Sequence, residues 1–221
     1  MVKYELDYLI NHVEESVEKA NNGISKLTKE ILGMEGMSGI KTRHLYNNIC
    51  NLKNVNYLEV GTCKGSSFVS TLYGNNVNAI AVDNWSEFNG PKNEFFANMQ
   101  NLCPNIKYNF IEKDCFTVSD NEIFDIYNGI DVYLYDGAHD YQSQKNAITY
   151  YSRFLSKYSI IIIDDFRSDT QNWSQVKKGT HDGLTESGLI VHKNIEIISK
   201  QESNGSTEYW NGFGLFVCEK K

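Results

Sequence analysis

Six of the 28 carboxylates in this 221-residue chain fall at the ends of short apolar runs: Glu59, Asp83, Asp114, Asp136, Asp164 and Asp165. An Asp in that place commonly caps the helix that follows a strand, which accounts for one such residue at a time. A row of them is different, because gathered carboxylates repel one another unless cations, hydroxyls or amines lie among them. The segment Glu59-Val60-Gly61-Thr62-Cys63-Lys64-Gly65-Ser66-Ser67 reads as a strand, a glycine turn and a helix start. Its glycines let the backbone approach a ligand, and the helix start offers N–H groups to a carboxylate. The Gly-x-x-x-Gly spacing is neither the Gly-x-Gly-x-x-Gly turn of pyrophosphate binding nor a Walker loop. Asp83, closing the next apolar run, is placed to accept both hydroxyls of a ribose.

These residues need a scaffold, and the chain supplies one. Leu6, Leu9, Ile10, Val13 and Val17 recur at helical spacing over residues 4–20, and a Gly-rich connector (32–39) leads to a second helix ending near Cys50. Strands are expected at 56–60, 77–82, 106–112, 131–135 and 158–163, with helices between them. Pro91 suits the first turn of one helix and Asp140 the cap of another. The run Tyr158 to Ile163 is nearly all apolar, as a strand buried on both faces would be. Two closing runs, 189–199 and 207–218, flank Asn204-Gly205, a hairpin signal. The expected architecture is α/β: a Rossmann-like, doubly wound, mostly parallel seven-stranded sheet with a C-terminal antiparallel hairpin. Ligands of such sheets bind outside the carboxyl ends of the strands, where the acids lie.

Composition narrows the partners. The net charge of −7 argues against nucleic acid, whose binding rests on Lys and Arg. No apolar run approaches the ~20 residues of a membrane span, and the N-terminal segment has no signal-peptide core. Five scattered cysteines with no Cys-x-x-Cys read as reduced thiols, so a cytoplasmic protein is expected.

The turn Glu59-x-Gly61-x-x-x-Gly65 with Asp83 resembles the class I S-adenosylmethionine-dependent methyltransferases, over roughly residues 52–219. The resemblance implies that Glu59, Gly61, Thr62, Gly65 and Ser66 cradle the methionine end of the cofactor and that Asp83 holds its ribose. Asn84, Trp85, Asp114, Cys115 and Asp136 would complete the cofactor site. Trp85 could stack on the adenine or pack in the core. More narrowly, Asp136-Gly137-Ala138-His139-Asp140-Tyr141 with Ile162-Ile163-Asp164-Asp165-Phe166 resembles the motifs of small-molecule and sugar O-methyltransferases of the macrocin type. That likeness implies Mg²⁺, or another divalent cation, held by Asp136, Asp164 and Asp165 near the acceptor hydroxyl. The acid that some members carry two residues after the first Asp is Ala138 here. His139 is then the nearest general base, or a tether for the following helix; Asp136 is the other residue expected to act catalytically.

Residues 1–51 would form an N-terminal helical extension and candidate lid, with Gly36 to Gly39, Arg43 and His44 closing over the cofactor, and 52–221 the methyltransferase domain. Arg167, Trp173 and His181 are candidates for lining the acceptor pocket. The acceptor itself is unspecified by any residue pattern. The expected partners are a small-molecule acceptor and a second copy bound through the N-terminal helices, with no nucleic acid and no membrane. An NAD-dependent oxidoreductase would share Gly61, Gly65 and Asp83, and a non-catalytic nucleotide-binding protein would keep the pocket alone.

Overall fold

A computed structural model describes residues 2–166, 174–197 and 208–221. The chain runs α1 (Leu6–Asn21), α2 (Lys29–Leu32), α3 (Ile40–Ile49), β1 (Val55–Val60), α4 (Ser66–Leu72), β2 (Val77–Asp83), α5 (Lys92–Leu102) and β3 (Tyr108–Glu112). It continues with α6 (Asp120–Phe124), β4 (Ile130–Tyr135), α7 (Tyr141–Tyr151), β5 (Leu155–Asp164), α8 (Ser174–Glu186), β6 (Ile190–Ile197) and β7 (Phe213–Glu219). The sheet order is β3-β2-β1-β4-β5-β7-β6. Strands β1 to β5 pair in parallel, and β7 pairs antiparallel with both β5 and β6. This is the doubly wound sheet with a closing antiparallel pair that the sequence predicts. The expected turn at 202–206 lies outside the described residues, as do Arg167 and Trp173.

Strand periodicity explains both layers of the core. Ile160 and Ile162 face one side of the sheet with Val55, Tyr57, Val132 and Leu134, and there they meet Leu9 and Val13 of α1, Leu45 and Ile49 of α3, and Phe68 of α4. Ile161 and Ile163 face the other side, with Ile148 of α7 and Val176 of α8. All four isoleucines are at most 1% exposed, which bears out the two-sided burial read from the sequence. The N-terminal helices thus share a core with the sheet.

The short helix α2 within the N-terminal region was not foreseen. It is capped by Thr28, whose side chain accepts from the N–H of Ile31, and four residues are too few to show periodicity. Arg43 of α3 fixes the connector that follows. Its guanidinium donates to the carbonyls of Ile31, Leu32 and Met34 at 2.9–3.0 Å and to Ser38 at 3.0 and 3.1 Å. Arg43 is only 3% exposed and His44 is bonded through Nδ1 to Ser25 Oγ at 2.7 Å, so both serve the packing of this segment.

Candidate active site

The sheet reverses its winding between β1 and β4, and the loops leaving those strands part there to form the crevice of an open α/β sheet. Two backbone bonds lock its floor. Gly61 N–H donates to Val82 O at 3.0 Å and Asp136 N–H to Val60 O at 2.9 Å. Gly61 has φ +84° and Gly65 φ +85°, conformations that suit glycine, and Cys63 between them has φ +46°. A side-chain carbon on Gly61 would lie 2.0 Å from the carbonyl oxygen of Asp136.

Asp83 holds this turn from the end of β2. Its Oδ2 accepts from the N–H groups of Thr62 at 2.8 Å and Cys63 at 3.1 Å, and Oδ1 accepts from Trp85 N–H at 2.8 Å. Asn84 is exposed and takes Ser86 into a local turn, its Oδ1 accepting from the backbone N–H at 3.1 Å and from Oγ at 2.7 Å. Trp85 lies parallel to Phe110, ring centroids 5.3 Å apart, and tilted against Phe95 at 5.6 Å. Its ring therefore packs in the aromatic layer under α5, the packing alternative left open by the sequence. Asp114 is exposed and caps a short 3₁₀ turn through Phe116 N–H at 2.8 Å. Burial and Asp114 raise the neighbouring Cys115 thiol to about 12, so it stays protonated at neutral pH.

Glu59 departs from the expected cradle. It is wholly buried, with Ser67 Oγ donating to Oε1 at 2.5 Å and Tyr57 Oη donating to Oε2. The cause is strand alternation: Glu59 shares the face of Tyr57, under α4, so its carboxylate braces the start of α4 from below. Burial is the main cause that raises its pKa to about 7 from an ordinary 4.5. A carboxyl whose folded pKa lies above its unfolded one stabilises the fold below pH 4.5, and that contribution is lost as pH rises to about 7. The change is about 3 kcal/mol. Glu59→Gln is expected to abolish this component, so urea unfolding at pH 5 and pH 8 should show the variant gaining on the wild type at the higher pH. Parallel pH dependences in the two proteins would refute the assignment.

Asp136, Asp164 and Asp165 do come together, but not as an equal trio. One ligand atom from each of Asp136, His139 and Asp165 lies within 4.8 Å of the others, the one such grouping with metal-binding side chains among the described residues. Asp164 stands behind them. It is the last residue of β5, on the face of Ile160 and Ile162, and is only 6% exposed. Its Oδ1 accepts from Asp165 N–H at 2.9 Å. Asp165 turns away from that face through a left-handed backbone, φ +55°, uncommon for a residue with a side chain. His139 Nε2 then lies 2.8 Å from Asp165 Oδ2. Asp140 caps α7, accepting from Gln142 and Ser143 N–H at 3.0 Å, while Gln144 Nε2 donates to Ala138 O at 3.0 Å. Desolvation, then Asp164 and Asp165, push Asp136 well above the usual carboxylate range; burial and Asp165 do the same to Asp164.

Two contributors come from the N-terminal region: Ser38 lies in the connector expected over the cofactor, whereas Tyr46 carries no sequence signal. Tyr46 of α3 is 1% exposed, and its hydroxyl faces Asp164 and Asp136, which with burial raise its pKa well above 10. Ser38 of the connector donates to Ser66 Oγ at the start of α4, at 3.0 Å. The connector therefore lies against the glycine turn, and Glu35 pairs with Lys64 within it. His181 belongs elsewhere: it bonds Glu196 at 2.8 Å and packs against Phe166 and Phe216.

Residues 58–166, from β1 through the Asp164-Asp165 pair, match the model of a methyltransferase-domain family. That stretch, just under half of the chain, is similar to a methyltransferase domain. Solved structures share its fold. The O-methyltransferase from Bacillus cereus, in complex with SAH, is 13% identical, with a TM-score of 0.59 covering 95% of this chain and 91% of that one. Cofactor-bound Rv0187 from MTB is 14% identical, also at a TM-score of 0.59, covering 96% and 90%. A sequence search of curated proteins finds no match. The match supports a methyltransferase over the oxidoreductase reading. No described helix is long and apolar enough to cross a membrane.

Proposed function

We propose that this methyltransferase moves the methyl group of S-adenosylmethionine to a hydroxyl of a small molecule or sugar, assisted by a divalent cation. The observation that carries the reading is the meeting, at the β1/β4 crevice, of the glycine turn held by Asp83 with the group Asp136, His139 and Asp165. The shared fold of the SAH-bound Bacillus cereus enzyme supports the cofactor. In the reaction the acceptor oxygen forms a bond to the methyl carbon as the sulfonium carbon–sulfur bond breaks, and the hydroxyl proton leaves. Such a displacement depends chiefly on positioning the two reactants in line.

The residues divide that work. Gly61 to Gly65 provide backbone that a ligand can approach closely, and Asp83 fixes its shape while offering the carboxylate suited to ribose hydroxyls. Asp136 and Asp165 fit a hard cation, since carboxylates packed this closely need positive charge between them. When bound, the cation would lower the acceptor hydroxyl's pKa. The proton that the polarised hydroxyl gives up passes to His139 or to solvent water.

Calorimetric titration tests the cofactor. S-adenosylhomocysteine is expected to bind with a Kd of roughly 1–100 μM, corresponding to about 5–8 kcal/mol, while NAD gives no heat. No binding of S-adenosylhomocysteine would end the proposal. In turnover assays on a panel of small hydroxyl acceptors, EDTA is expected to suppress methyl transfer and added divalent cation to restore it.

A further inference from the structure

We infer that Arg43, acting through Ser38 and Ser66, makes the glycine-turn site select a ligand that carries a carboxylate, as the methionine end of the proposed cofactor does. The inference rests on the methyltransferase reading for the identity of the ligand. It adds a charge from outside the turn, supplied by α3 and the connector.

Three observations carry it. The first is a buried charge without a counter-charge. Arg43 is 3% exposed, and its Nε and Nη1 donate only to the carbonyls of Ile31, Leu32, Met34 and Ser38 and to the Ser38 hydroxyl. No carboxylate meets it among the described residues, and burial lowers its pKa with no acid to offset the effect. A buried cation is costly unless an anion accompanies it. Lys64, the cation within the turn, is already paired with Glu35.

The second is the direction of the donors. Arg43 Nε donates to Ser38 Oγ at 3.0 Å, and Ser38 Oγ donates in turn to Ser66 Oγ at 3.0 Å. Ser66, 8% exposed, is left with an O–H that has no acceptor among the described residues. A buried donor in that state calls for an acceptor. A donor chain that starts at a guanidinium favours an acceptor that is charged.

The third is room. A side-chain carbon on Gly36 would stand 2.3 Å from Ser66 Oγ and 3.6 Å from Arg43 Nη2. Nη2 donates to no described residue. The two unspent donors therefore border one spot, which the missing side chain of Gly36 keeps open beside the turn. A guanidinium edge with a hydroxyl suits the two oxygens of a carboxylate.

The test is calorimetric titration of the full chain with S-adenosylhomocysteine and with its decarboxylated analogue, which differ by the carboxylate alone. The wild type is expected to bind S-adenosylhomocysteine at least about ten-fold more tightly than the analogue. Arg43→Gln should bring the two affinities within about three-fold of each other. Ser38→Ala, which cuts the relay and leaves the guanidinium in place, should weaken S-adenosylhomocysteine about three- to ten-fold and the analogue less than two-fold. It also carries the test should Arg43→Gln fail to fold, with thermal unfolding confirming integrity. Equal losses for the two ligands in these variants would reduce Arg43 to a packing group and overturn the inference, as would a wild type that binds both alike. The two levels separate cleanly. Binding of S-adenosylhomocysteine without preference for its carboxylate sinks the relay alone, and no binding of either ligand sinks the methyltransferase reading as well.

Discussion

Gly61→Ala is expected to lose S-adenosylhomocysteine binding and to unfold at least about 6 °C below the wild type. The added carbon would sit 2.0 Å from the carbonyl oxygen and 2.6 Å from the carbonyl carbon of Asp136, both backbone atoms. Neither can swing aside, because Asp136 N–H is bonded to Val60 O and Gly61 N–H to Val82 O. The residue's φ of +84° adds strain for any side chain. Together these should cost at least about 3 kcal/mol, which at 2–4 °C per kcal/mol for a chain of this size gives the stated shift. Because the clash would pry β4 from β1, it would open the crevice where the glycine turn meets the Asp136, His139 and Asp165 group. Gly188→Ala provides the control: its φ is +70° and nothing lies within 4 Å of the added carbon. Equal effects at the two positions would mean that conformation alone, and no contact with Asp136, accounts for the loss.

Asp165→Asn is expected to lower turnover at least about 100-fold while leaving the fold intact, since metal assistance contributes several kcal/mol to reactions of this kind. Asparagine is among the side chains best tolerated in the left-handed conformation that Asp165 adopts at φ +55°. It also keeps the shape of the carboxylate. The substitution therefore removes one charge and one strong donor with little else, and S-adenosylhomocysteine affinity should stay within about three-fold, since the Asp83-held turn lies on other strands. Turnover within a few-fold of wild type in acceptor assays, with or without EDTA, would remove Asp165 from the reaction. The left-handed conformation has a part in the proposed function. It turns Asp165 off the strand's alternation, toward His139, at a place where strain persists because the Asp164 carboxylate and the paired end of β5 hold it.

Much of the protein was legible from its residues. Alternating strand and helix patterns, the apolar run Ile160 to Ile163 and the Asn204-Gly205 signal each report local physics, so the parallel sheet and its closing antiparallel pair could be read in order. The acids at the strand ends were equally plain, because a doubly wound sheet brings its carboxyl ends to one edge whatever the packing details. What each acid does was not. Glu59 and Asp164 look in sequence like Asp83 and Asp136, yet strand alternation beneath α3 and α4 buries them against Tyr57, Ser67 and Tyr46. Trp85 could be cofactor platform or core until Phe95 and Phe110 claimed its ring. By itself, then, the sequence determined the fold, the edge of the sheet where chemistry gathers and the glycine turn, since all three follow from periodicity and local conformation. The tertiary structure alone decided that Tyr46 of α3 turns its hydroxyl toward Asp164 and Asp136 and that His139 stands beside Asp165. Those facts depend on which faces meet across more than a hundred residues of chain and on a single reversed φ, and no local pattern encodes either.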